Sequence, residues 1–169
     1  MTTYKASTVR PTALRDSVDD RVRSAIVTFR ESDGSAAGVY TGSVVIPGGS
    51  YLVDVIVHSE VLWTADTSAE MDVGDGADPN GFLASVDLKA TDLAAAESAN
   101  FVATGALEGA DVDEPASTGA HVRRRYLPNP RTITGVVTTV GAVGTAGITH
   151  MVVLYVSPGS VTEASFEAT

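Results

Sequence analysis

The chain has 169 residues, 44% of them hydrophobic, and a formal net charge of −10. That length and apolar content give one domain with a real core and exclude a disordered tail; the negative charge argues against general nucleic-acid affinity. The absence of cysteine removes disulfides, thiol catalysis and cysteine-ligated metal together, and fits folding in a reducing cytoplasm.

Residues 1–23 read as an N-terminal arm: polar, charged, interrupted by Pro11 and without sustained periodicity or a secretory apolar stretch. The charges are segregated. Six of the eleven basic residues, Lys5, Arg10, Arg15, Arg21, Arg23 and Arg30, fall in the first thirty positions, and Arg123, Arg124, Arg125 and Arg131 form a second cluster. Between Glu31 and Val122 stand sixteen acidic residues and one base, Lys89. Such blocks give the molecule surfaces of opposite sign, one of which can face a partner.

From Ser24 the chain becomes β. SAIVTFR (24–30) and VYTGSVVI (39–46) are strand candidates, with Asp33-Gly34 between them as a hairpin signal. YLVDVIVHSEVL (51–62) is the clearest strand. Period-2 alternation places Tyr51, Val53, Val55 and Val57 on one face and Leu52, Asp54, Ile56 and His58 on the other. Trp63 follows at a turn, as a core edge or an interface anchor. AEMDVG (69–74) is a short strand, and 82–88 is extended. ATDLAAAESA (90–99) carries the one helix signal, with Thr91 as its cap.

NFVATGAL (100–107) reads as a strand, Glu108 to Gly119 as an exposed acidic loop, and HVRRRYL (121–127) as a strand edge. RTITGVVTTVGAV (131–143) and GITHMVVLYVSP (147–158) have the Val/Thr/Ile composition of pleated sheet, and Gly144 to Gly147 between them predict a tight hairpin. A polar tail, 159–169, ends the chain. The expected fold is all-β: an antiparallel sandwich or jelly roll over 24–158, with one short helix and an extended arm.

Met71 to Phe82, MDVGDGADPNGF, raises a chemical question. An EF-hand loop needs acidic ligands two apart and a glutamate at position twelve; Asp72, Asp75 and Asp78 are three apart, and Leu83 or Val86 holds the twelfth place. A phosphate-binding loop needs a following helix and basic or GxGxxG character, and this one is acidic. The remaining readings are a shaped chain reversal, with Gly, Asp, Asn and Pro each supplying turn geometry, or a calcium site of another kind. His58, His121 and His150 form no HxxxH or HExxH pattern, and no GxSxG elbow is present. No acid–base pair emerges, so the expectation is a protein without catalysis, cofactor or metal.

The stretch VVIPGGSYLVDVIVHSEVLWTADTSAEMDVGDGADPNGFLASVDL, together with TITGVVTTVGAVGTAGITHMVVLYV near the C-terminus, resembles a pattern in virion structural proteins of tailed bacteriophages. Its marks are an Ile-Pro-Gly step into a long strand, a polar turn, and then Val-Gly-Asp-Gly, Asp-Pro and Gly-Phe. The resemblance covers about Val44 to Val156. It implies a head decoration or cement protein: a small β-sandwich, often trimeric, on the capsid surface, clamping neighbouring major capsid subunits without a membrane or nucleic acid as partner. The basic residues Lys5, Arg10, Arg15, Arg21, Arg23, Arg123, Arg124, Arg125 and Arg131 are then the expected partner-binding set. Alternatives are a tail, head–tail connector or fibre-base component with the same fold, or a calcium-dependent carbohydrate-binding sandwich using Asp72, Asp75 and Asp78.

Overall fold

The protein's structure, a computed structural model, describes residues 22–34, 38–89, 93–100, 126–142 and 144–157. Nine strands follow in chain order: β1 (Val22–Arg30), β2 (Val39–Ile46), β3 (Ser50–Val61), β4 (Ser68–Gly74), β5 (Leu83–Asp87), β6 (Ser98–Asn100), β7 (Tyr126–Leu127), β8 (Arg131–Val140) and β9 (Ile148–Val156). They form two antiparallel sheets. The first has the order β1-β9-β3-β6, with β7 also on β3; the second has the order β2-β8-β4-β5. Phe29, Leu52, Val55, Val57, Met71, Val73, Leu83, Ile133, Val137, Met151 and Val153 fill the space between them. The all-β sandwich expected from the sequence is the fold observed.

Sequential strands almost never pair. β1, β3, β6, β7 and β9 belong to one sheet and β2, β4, β5 and β8 to the other, so nearly every link crosses from sheet to sheet. The two hairpins expected at Asp33-Gly34 and at Gly144–Gly147 are therefore crossovers. Turn chemistry fixes where a chain bends, whereas the choice of partner is a long-range packing decision. Two links stay within a sheet: β4–β5, a true hairpin closed by the aspartate-rich segment, and β6–β7, which pair with β3 and not with each other.

Several crossovers converge on one carboxylate. Glu31, fully buried in the 3-10 turn that follows β1, accepts hydrogen bonds from the amides of Thr64 (2.9 Å), Ala146 (3.2 Å) and Gly147 (2.9 Å) and from the Thr64 hydroxyl (2.9 Å). Burial pushes this carboxyl up, but the amides of Thr64, Gly147 and Ala65 and the Thr64 hydroxyl outweigh it and hold it below its ordinary value. Beside it Tyr40 donates to the Glu31 carbonyl (3.1 Å) and meets Trp63 edge-on at 5.1 Å, while Trp63 Nε1 donates to Thr149 (2.8 Å). Trp63 is thus a core residue. A Cβ on Gly147 would lie 2.5 Å from its ring, so this glycine is a close-approach position and not part of a hairpin turn.

Three further expectations change. The alternation along β3 breaks at a bulge between Leu52 and Asp54, so Leu52 is buried with Val55 and Val57 while Tyr51 is exposed. The helix expected over 90–99 is absent from the described part, 93–100. There, Ala96 adopts φ 69°, and Ser98–Asn100 pair with Ile56–His58 of β3. A ten-residue stretch, seven of its residues helix-favouring, is too short to hold a helix by propensity alone against an open strand edge. Finally, β1 begins at Val22, so Val22 and Arg23 of the expected arm are strand.

Candidate interaction faces and the acidic loop

The aspartate-rich segment is built as a brace. Asp75, buried, accepts from the amides of Ala77 (2.7 Å) and Asp78 (2.9 Å) through one oxygen, and its other oxygen pairs with the Arg131 guanidinium. Arg131 in turn lies over the Phe82 ring, 5.3 Å from its centroid, and burial lowers its pKa. Asp72 accepts instead from the amide of Ser85 (2.8 Å), across the hairpin. A Cβ on Gly74 would collide with the Asp78 carbonyl and Pro79, which is why glycine stands there. The reversal reading describes this segment; no cluster of three or more metal-ligating side chains occurs among the described residues.

Of the nine basic residues expected to bind a partner, Lys5, Arg10, Arg15, Arg21, Arg123, Arg124 and Arg125 lie outside the described residues. Arg23 sits in β1 opposite Tyr155. Arg131 is bound within the chain by Asp75 and Phe82, which gives it a structural role. Lys89, the lone base of the acidic block, donates to the carbonyls of Ala65 and Asp66 and ties down the β3–β4 link.

The outward faces of the two sheets differ in composition. Across the first sheet, register sets up the rows Val22–Val156–Tyr51–Tyr126, Ser24–Leu154–Asp54 and Ile26–Val152–Ile56–Asn100. Ile26 is 61% exposed and Val22 56%, so an apolar band lies in the open. Across the second sheet the corresponding rows are Val39–Thr138–Glu70–Asp87, Thr41–Val136–Asp72 and Ser43–Thr134–Gly74. That face carries hydroxyls and carboxylates, with Ser43 and Thr134 bonded to each other at 3.1 Å, but valines are open on this sheet too: Val39 at 64%, Val45 at 67% and Val140 at 49%.

Bordering the apolar band is a polar row that sequence spacing did not reveal: Thr28, His150, His58 and Ser98, one from each of four adjacent strands. The two imidazoles stack with centroids 6.1 Å apart and an interplanar angle of 17°. His150 Nε2 meets Glu60 at 2.7 Å and its Nδ1 meets the Thr28 hydroxyl at 2.9 Å; His58 Nδ1 meets the Ser98 hydroxyl at 2.8 Å. A neutral His150 that donates to Glu60 accepts from Thr28, so one tautomer satisfies both contacts. Folding thus brings together two of three histidines that lie far apart in sequence. The legible signal was β9, ITHMVVLYV, which is apolar on both of its faces although its sheet is open on one side.

No protein-family model matches the chain, and no curated protein matches it. Three solved structures do. One is a chain of the cyanophage Pam1 capsid asymmetric unit, 18% identical, covering 82% of this chain and 84% of that one, with a TM-score of 0.49. A second, from the acid-stable capsid of Helicobacter pylori bacteriophage KHP30, is 14% identical, covers 91% and 93%, and has a TM-score of 0.48. A third, from the capsid of Ralstonia phage GP4, is 21% identical, covers 83% and 86%, and has a TM-score of 0.46.

Proposed function

We propose that the protein is a non-enzymatic structural component of a tailed-phage virion. In this reading it is a decoration protein on the outer capsid surface that clamps neighbouring major capsid subunits, as an oligomer and most simply as a trimer. The observation that carries the reading is how the motif-bearing stretch is used. Gly74, Asp75 and Phe82, which mark the resemblance to virion proteins, are all engaged in shaping or bracing the sandwich. What is left for a partner is surface: an apolar outward band, and the basic sequence of residues 1–21, which leads into Val22 at the edge of that band. Such a layout suits a clasp, because arm residues can pair with acidic or backbone groups of a neighbour while the sandwich stays rigid.

The test is deletion of residues 1–21, which leaves β1 whole. Capsid binding should be lost while the thermal unfolding midpoint is unchanged. Full-strength binding by the truncated protein removes the arm from the account. Quantifying the chain in purified particles separates decoration, whose copy number tracks the capsid subunits, from a tail, connector or fibre-base component confined to a single ring.

A further inference from the structure

β1 pairs with β9 on one side, and among the described residues no strand lies on its other side. Which backbone groups face that open edge follows from the ladder. The nine pairs from Val22↔Val156 to Arg30↔Ile148 run without a register shift, and the Glu31 amide continues the series by donating to the Gly147 carbonyl at 2.9 Å. In an antiparallel pair alternate residues bond the same neighbour. Arg23, Ala25, Val27 and Phe29 therefore bond β9, and Val22, Ser24, Ile26, Thr28 and Arg30 turn their N–H and C=O groups to the edge. The strand has no proline and no bulge, and its two charges, Arg23 and Arg30, stand near its ends and leave the middle of the edge uncharged.

We propose that this edge pairs with β1 of a second copy, antiparallel about a two-fold axis at Ile26. That register sets Ile26 against the partner's Ile26, Ser24 against Thr28, Val22 against Arg30, Ala25 against Val27 and Arg23 against Phe29. All five open residues then exchange hydrogen bonds, and no charge meets its like. Two-fold registers centred on Ala25 or Val27 leave two of the nine residues unpaired. The apolar row becomes continuous across the axis: Ile56–Val152–Ile26, then its mirror in the second copy. Each copy carries net charge −10, so screening by salt strengthens the dimer. The pairing stands independently of the virion reading and of the trimer in it, whose three-fold contacts would lie on surfaces other than this two-fold edge: particle location tests that reading, and the solution experiments below test the two-fold contact.

Because the chain has no cysteine, one substitution makes a clean reporter. In full-length protein, Ile26→Cys places two thiols on Cα atoms about 5.5 Å apart, within disulfide reach. Ser24→Cys places them roughly 13 Å apart, out of reach. Mild oxidation should yield a disulfide dimer from Ile26→Cys and none from Ser24→Cys, while a mixture of Ser24→Cys and Thr28→Cys crosslinks. Ile26→Pro removes only an edge-facing N–H, so the fold should survive while association weakens about tenfold or more by sedimentation. Three outcomes overturn the proposal: a wild-type monomer at the highest soluble concentration, equal crosslinking at positions 24 and 26, or an Ile26→Pro protein that associates as tightly as the wild type.

Discussion

Each end of the sandwich buries a carboxylate, and the two are satisfied by different means. At the end where β1 and β3 stop and β9 begins, Glu31 is held by three backbone amides and a hydroxyl contributed by two crossover links. At the opposite end, where β8 begins, Asp75 is held by two amides of its own turn and by the Arg131 guanidinium. The first arrangement joins segments more than a hundred residues apart; the second joins a local hairpin to one strand. In an acidic chain, then, a buried carboxylate here is a fastener, and its reach depends on how distant its donors are.

The largest expected break is at Glu31. Glu31→Ala strands three amides, that of Gly147 buried and those of Thr64 and Ala146 part-buried, and should cost roughly 3 kcal/mol in urea denaturation; a cost below about 1 kcal/mol would dissolve the contrast between the ends. The same site has a pH signature. Its carboxyl is held low in the fold, so its stabilisation is complete above the ordinary value of 4.5 and fades as pH falls through the folded pKa. Glu31→Gln should lack that part of the acid slope.

Asp75→Asn should cost less, about 2–3 kcal/mol, because the side-chain oxygen can keep its turn while Arg131 loses its charge partner. Adding Arg131→Met should recover part of the loss, since a long apolar chain can still cover Phe82. A double variant no better than Asp75→Asn would show that the ion pair is not what braces this end. Gly147→Ala, forced against Trp63, should cost about 1–3 kcal/mol by thermal denaturation, with the Trp63 fluorescence shifted. The smallest effects are at two serines, one per end. Ser50 and Ser59 are buried with hydroxyls that have no hydrogen-bond partner, so Ser→Ala at either should be neutral or stabilising by up to about 1 kcal/mol. A clear loss at one of them would reveal a hydroxyl contact peculiar to that end.

Less of the outward surface than of the fold was legible in the sequence. The outward band needs Ile26, Val152 and Ile56 in one row, and they come from strands that are neighbours only in space. The row of Thr28, His150, His58 and Ser98 has the same origin. Arg131 looked like part of a basic cluster because sequence proximity to Arg123–Arg125 was its only visible context. Its actual context is Asp75, fifty-six residues earlier in the chain.

What the sequence determined by itself was local: an all-β chain, the positions of most of its strands, and the reversal at Asp75, because composition, period-2 alternation and turn chemistry act between near neighbours. The tertiary structure alone decided which strands pair, why Gly144 and Gly147 bend a crossover and not a hairpin, that a bulge moves Tyr51 outward, and that Ser98–Asn100 extend instead of coiling. Those outcomes depend on burial and on open backbone edges supplied by segments far along the chain, whose free energies outweigh the few tenths of a kcal/mol that separate local conformational preferences.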